Sequence, residues 1–487
     1  MSRKGFALFP LFILALAVSA SAQEGKPVTT VKENADTMKI TVSGDIVVDY
    51  VWRSGALAAY TTRIESTAGA PRDENTFEGE LGVRLDIDLS NKVSAVLQIG
   101  RERVDSLLGN PMFLPFVGGV QSLDQEIVIR EMRVHLKEFL TPELSLQVGI
   151  PTWSFDVRGR GNAFAFDPRR AQSFSHSGNW KATEDVTGTL DARCGQPDEL
   201  DPVGAVLTYG MQELTLDLVF LPMVIEGGPP SEDEALYAVD VWFNLERVGL
   251  GKGSRVGGIL ALNAIQSRHS GIFTLGGGAA LKEIIPGLEL YGEVYFQFGD
   301  AGHWDPPGPV AEDLKAAGMA LQVGAQINFG GDLNPWLGFN LTMVSGDDDD
   351  DADDDSVDSF LSYENINDLI IIEDMYFGLD WDTNYFALKF SGGLAFSVGG
   401  GKNNLEISAI LGICKTMEDV QIAGSGEDAL GTEFDARLKW HITPQATLQA
   451  AIGFLFGSDI LEETMDAAGD EEEDSAILYT VGASLRF

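Results

Sequence analysis

Apolar and polar residues alternate one for one along most of the chain. Over 76–89, Phe77, Leu81, Val83, Leu85, Ile87 and Leu89 share one side of an extended backbone, while Glu78, Glu80, Arg84, Asp86 and Asp88 share the other. A period of two is the signature of a strand with one apolar and one polar face. The pattern predicts 18 strands, at 38–52, 76–89, 92–103, 126–139, 143–151, 200–209, 212–221, 234–247, 254–266, 271–281, 287–298, 315–329, 335–345, 384–398, 403–414, 433–442, 445–457 and 476–487. Most run 9–15 residues, against a usual five or six in soluble sheets. A tilted strand needs about 9–11 residues to cross a bilayer. The apolar faces are therefore expected to meet lipid.

The connections alternate too. Short ones fall at Ser90-Asn91, Thr141-Pro142, Gly210-Met211, 330–334, 399–402 and Thr443-Pro444. Long ones fall at 53–75, 104–125, 152–199, 222–233, 299–314, 346–383, 415–432 and 458–475. Short turns at one end and long loops at the other mark an up-and-down transmembrane β-barrel with periplasmic turns and external loops. Met375–Trp381 also alternates, but counting it as a wall strand would move the Thr443 turn to the long-loop end. It is assigned to an external loop folded into the lumen. The fold class is all-β, one antiparallel barrel.

The first 22 residues read as a secretory signal peptide. Arg3 and Lys4 precede the apolar Phe6–Val18, and Ala20-Ser21-Ala22 supplies small residues for cleavage. Residues 23–37 then form a periplasmic segment and 38–487 one barrel domain. The apolar leader is too short to span roughly 30 Å of hydrocarbon as a helix. In the last segment Ile477, Tyr479, Val481, Ala483, Leu485 and the terminal Phe487 share one face. This resembles the C-terminal signal read by the barrel-assembly machinery, with Tyr479 and Phe487 as its aromatic positions. Partners are therefore that machinery, outer-membrane lipid and a hydrophilic solute.

Charge narrows the function. Lys and Arg total 33 against 74 Asp and Glu, a net −41, which repels phosphates and excludes a general nucleic-acid binder. A barrel of about 18 strands is too wide for its own side chains to fill. The long connection 152–199 is the expected constriction, with Arg158, Arg160, Arg169, Arg170 and His176. Arg133, His135 and Lys137 lie opposite Met132, Val134 and Leu136 and should face the lumen. These basic residues either select anions or balance nearby carboxylates. The acidic run 347–355 holds Asp347, Asp348 and Asp350; it is a solvated repelling loop or a weak Ca²⁺ site without calcium-loop spacing. Cys194 and Cys414 both map to the external side and could pair. No cofactor signature or metalloprotease motif is present, and Ser175-His176-Ser177 is adjacency rather than triad geometry, so an enzyme is not expected.

Two stretches, LQVGIPTWSFDVRGRGNAFAFDPRRAQSF (146–174) and LTMVSGDDDDDADDDSVDSF (341–360), resemble the alginate-export family of outer-membrane porins. The resemblance implies an 18-stranded conduit with inward external loops, whose arginine-lined constriction favours an anionic polysaccharide. It carries Arg158, Arg160, Arg169 and Arg170 as the constriction, with Arg133 and Lys137 as wall partners. Gly149-Ile150-Pro151 stands where the family has Gly-Arg-Gln. A general or small-solute porin remains open beside it, as do a loop-plugged surface barrel acting as adhesin or structural protein, and an outer-membrane hydrolase.

Overall fold

The computed structural model describes residues 38–54, 74–101, 127–160, 163–166, 200–225, 234–265, 270–304, 312–346, 356–360, 368–373, 378–379, 381, 383–398, 404–422, 425–466 and 474–487. The leader, the segment 23–37, Arg169, Arg170, His176, Cys194 and the whole acidic run with Asp347, Asp348 and Asp350 lie outside them.

The strands are β1 (Lys39–Arg53), β2 (Glu74–Asp88), β3 (Val93–Arg101), β4 (Ile127–Leu136), β5 (Leu144–Gly149), β6 (Leu200–Pro202), β7 (Gly204–Gly210), β8 (Leu214–Ile225), β9 (Glu234–Asn244), β10 (Arg255–Ile265) and β11 (Ser270–Lys282). They continue as β12 (Leu288–Trp304), β13 (Glu312–Ala316), β14 (Met319–Asn328), β15 (Trp336–Val344), β16 (Ser356–Val357), β17 (Tyr385–Phe396), β18 (Leu405–Ile422), β19 (Ser425–His441), β20 (Ala446–Phe456) and β21 (Ala476–Arg486). Each wall strand pairs antiparallel with its neighbours, and β21 pairs with both β20 and β1, which closes the sheet. β6 and β7 form one wall strand interrupted at Val203, and β13 and β14 one interrupted at Ala317-Gly318. Counted so, the wall has the expected 18 strands, and the short β16, parallel to β13, is extra.

The alternation is obeyed side by side. On β12, Leu290, Phe296 and Phe298 are exposed on the outside, while Glu289, Glu293, Tyr295 and Gln297 are buried inside. The same outward apolar band includes Val83, Val134, Val239, Leu260, Phe273, Phe390, Leu411 and Phe434. Only hydrocarbon makes such a surface favourable over a closed cylinder. At the closure, the backbone N–H and C=O of Phe487 bond Gly44 at 2.9 Å each, and Tyr479 stacks on Trp52 with centroids 5.3 Å apart.

Three loops expected from sequence turn out partly ordered. β18 and β19 run on past the expected strand ends at 414 and 433, and β12 and β13 occupy most of 299–314. Beyond the membrane these strands no longer meet lipid on one side, so the alternation that marks the wall lapses there. Within 458–475 lies α1 (Asp459–Asp466), whose Ile460 and Leu461 are buried, with the Ser458 hydroxyl accepting the Leu461 N–H at 3.2 Å.

Candidate functional site

The buried apolar cluster of this barrel lies inside its lumen. It is built from wall side chains and two inward-folded stretches, whose described residues are 150–160 with 163–166 and 368–373 with Leu379 and Trp381. The first leaves the wall at Gly149, whose φ of 115° turns the chain inward, and the Ile150 N–H bonds the Met132 carbonyl at 2.7 Å. β5 is accordingly the shortest uninterrupted wall strand, at 6 residues.

From there the segment descends along β9 to β14. The Trp153 indole N–H donates to Asp240 Oδ2 at 2.7 Å. Phe155 stacks on Trp242 at 4.4 Å, and the Tyr295 ring sits within 6.2 Å of Phe155, Phe164, Phe166 and Phe360. Val157 comes within 2.8 Å of where a Cβ on Gly278 would stand, so the glycine run of β11 is a seat for the loop.

At the lower end the segment presents its charge. Arg158 lies over the Tyr291 ring at 3.9 Å and reaches Glu289 at 3.5 Å and Gln326 at 3.3 Å. Arg160 pairs with Glu289 and donates to Gln326 at 2.9 Å. Two wall cations join them. Arg255 donates to the Val157 carbonyl at 2.9 Å while lying over Trp242 at 4.5 Å, and Lys282 donates to the Arg158 carbonyl at 2.9 Å. Arg255 begins β10, Lys282 ends β11 and Glu289 is the second residue of β12, which puts the group at the short-turn, periplasmic end of the lumen.

Exposure sorts these charges by sign. The side chains of Arg160, Arg255, Lys282 and Arg158 are 41, 29, 26 and 21% exposed, against 7% for Glu289 and 8% for Asp156. Glu293 and Asp240 are buried as well. Water in the lumen therefore meets cations whose counter-charges are covered.

The second stretch docks on the opposite wall. The N–H groups of Ile371 and Ile372 donate to Glu433 at 2.7 and 2.8 Å, and that of Ile370 to Asp435 at 3.1 Å. Glu373 turns back to accept the N–H groups of Asp368 and Leu369. It also accepts from Lys389 Nζ at 2.8 Å and the Tyr385 hydroxyl at 2.7 Å. Lys389 reaches Asp368 at 2.9 Å as well. Its ammonium is the main influence holding the Asp368 carboxyl below the usual carboxylate range, with smaller help from Arg437 and from Arg158 of the first stretch.

The expected residues fall out unevenly. Arg158 and Arg160 are brought together on Glu289 and Gln326. Arg133 faces the lumen, opposite Gly149 in register, but pairs with Glu131 at 2.5 Å on its own strand. Lys137 lies one residue past the end of β4, exposed in the periplasmic turn, with its backbone N–H on the Lys92 carbonyl at 2.7 Å. Strand β4 ends at Leu136, so the alternation of its faces does not reach Lys137. Cys414 is a free, buried lumenal thiol 3.4 Å from the Tyr385 hydroxyl. Arg255, Lys282, Glu289 and Gln326 were not anticipated. Their lumen-facing parity at strand ends was the available signal. Among the described residues no group of three or more metal-ligating side chains forms, and no helix is long and apolar enough to cross a membrane.

No protein-family model and no curated protein matches the sequence, the alginate-export resemblance included. Solved structures do match in form. Acinetobacter baumannii OccAB1 superposes with a TM-score of 0.54 at 9% identity, covering 96% of this chain and 99% of that one. Pseudomonas aeruginosa OccK9 (OpdG) gives 0.51 at 12%, and Pseudomonas aeruginosa OpdK with vanillate 0.51 at 11%, each covering 92% of this chain and 98% of the other. At such identity the likeness is one of fold. That fold is a closed antiparallel barrel with a lipid-facing exterior, the architecture by which β-sheet proteins span an outer membrane.

Proposed function

We propose that the protein is an outer-membrane channel through which small hydrophilic anions diffuse past a cationic constriction. The observation that carries this reading is the sorting by sign: Arg158, Arg160, Arg255 and Lys282 face the lumen water while Glu289 and Asp156 are covered. Cations at a narrow, low-dielectric mouth raise the local concentration of anions without any chemistry. The vanillate of OpdK is a small anion of the size this reading calls for. A polysaccharide is the narrower alternative from the motif around Arg158.

Planar-bilayer recordings test it. The wild type is expected to give stepwise conductance with anion preference, and Arg158→Ala with Arg160→Ala to lower that preference. One unit charge at about 4 Å in water is worth about 1 kcal/mol, so each loss should shift the permeability ratio roughly fivefold. Silent bilayers across preparations would favour a barrel plugged by its own loops, and an unchanged ratio would remove the two arginines from the selectivity site.

A further inference from the structure

The guanidinium of Arg158 is placed by a ring more closely than by a carboxylate. Its Cζ stands 3.9 Å from the centre of the Tyr291 ring, whereas its contacts with Glu289 and Gln326 stretch to 3.5 and 3.3 Å. Where that ring lies therefore decides where the constriction charge lies. In register, Tyr291 of β12 stands opposite Gly324 of β14, and Gly324 opposite Asn340 of β15. The tyrosine lies across the glycine: a Cβ on Gly324 would come within 2.2 Å of its Cζ and 2.3 Å of its hydroxyl oxygen. That crossing brings the hydroxyl to Asn340, whose Nδ2 donates to it at 2.9 Å.

Asn340 is itself braced. Its Oδ1 accepts the Thr342 hydroxyl at 2.8 Å, and Thr342 Oγ1 accepts from Gln322 Nε2 at 3.5 Å. Tyr291, Asn340 and Thr342 are all buried. A buried polar network with its members satisfied is stiff, because turning one of them strands a polar group away from water. Three side chains of β14 and β15 thus converge on one ring, and the ring carries one cation. Arg160 is held separately, by Glu289 and Gln326.

We infer that Asn340 is a positioning residue for the constriction: by pinning Tyr291 across Gly324 it fixes the plane of the Arg158 guanidinium. As a statement about selectivity this rests on reading the protein as an anion channel; as a statement about where Arg158 stands, it does not. Drawing in anions as a class needs only the charge, which a loose side chain keeps. Choosing among anions needs the plane. A guanidinium offers its donors in one fork, and a flat carboxylate can take two of them where a spherical chloride cannot. Asn340 accordingly governs which anion is preferred rather than whether anions are.

Modification of arginines by phenylglyoxal, read residue by residue by mass spectrometry on the folded barrel in detergent, measures how freely each guanidinium is presented. Heat-modifiable gel mobility confirms folding. Losing one ordinary hydrogen bond shifts a conformational balance about fivefold. Arg158 should therefore react about fivefold faster in Asn340→Leu and in Tyr291→Phe than in wild type, with the rate at Arg160 unmoved. Both substitutions cut the same link, so the double variant should be no faster than either alone. Gly324→Ala displaces the ring with Asn340 intact and should also free Arg158, which decides the matter should Asn340→Leu fail to fold. Thr342→Val removes only the brace and should give a smaller rise. In bilayers Asn340→Leu should lower the acetate-over-chloride permeability ratio about fivefold and the chloride-over-potassium ratio by less than about twofold. Wild-type reactivity of Arg158 in folded Asn340→Leu or Gly324→Ala, an equal rise at Arg160, or additive effects in the double variant would overturn the assignment. Faster modification beside an unchanged acetate ratio would overturn the part of Asn340 in selectivity. Silent bilayers alone would remove the channel reading and leave the measured placement of Arg158 standing.

Discussion

The two inward stretches are held by opposite means. On 150–166 the wall carboxylate Glu289 binds guanidinium side chains of the loop, and wall cations Arg255 and Lys282 bind its carbonyls. On 368–373 the wall carboxylates Glu433 and Asp435 bind backbone N–H groups instead. The first arrangement leaves cationic heads facing water; the second spends its charge inside the contact. One stretch therefore suits the recognition of a solute, and the other is fastened to the wall.

Filling the seats should break the contrast most severely. Gly453→Val and Gly278→Val each drive a side chain into a docked residue, Ile370 or Val157, at about 1–3 kcal/mol for overpacking. Protease cleavage should appear in 368–381 for the first variant and in 150–166 for the second, with the barrel intact. Trp153→Phe keeps the ring and removes the N–H from buried Asp240, an expected loss of about 1–2 kcal/mol. It should raise exchange in 150–166 only. Arg158→Lys keeps the charge and loses the planar stack on Tyr291, about 0.5–1 kcal/mol. Anion preference should survive it while exchange of the first stretch increases, and a lost preference would show that geometry, not charge, sets selectivity. The smallest effect should come from the half-exposed Asp368. Its folded-state pKa is lowered, so its contribution is present above the ordinary carboxylate range and fades as pH falls through the lower folded value. Asp368→Asn should therefore weaken the wild type's docking at pH 6 slightly and change little at pH 3.

Where lipid imposed a rule, the fold was legible. Leu290, Phe296 and Phe298 must face hydrocarbon and Glu289, Glu293 and Gln297 must not, so the wall strands and their turns could be read with ends off by a few residues. Past the membrane β18 and β19 obey no such rule and read as loops. The site was half legible. Arg158 and Arg160 stand out as basic residues in a long connection, whereas Arg255, Lys282, Glu289 and Gln326 come from four different strands and are united only by register. The seat of Ile370–Ile372 was invisible for the same reason. Glu433 and Asp435 look like ordinary lumen-facing acids until Ile370–Ile372 are laid on them.

The seam between β21 and β1 has its own consequence. Because Phe487 is bonded to Gly44 through both backbone groups and β21 pairs with β1, the cylinder closes only when both of those strands are present. A polypeptide stopped one strand early would present two raw sheet edges to an oily interior that cannot solvate them. Proofreading of the product is thereby built into its geometry, since truncated copies have no stable way to insert.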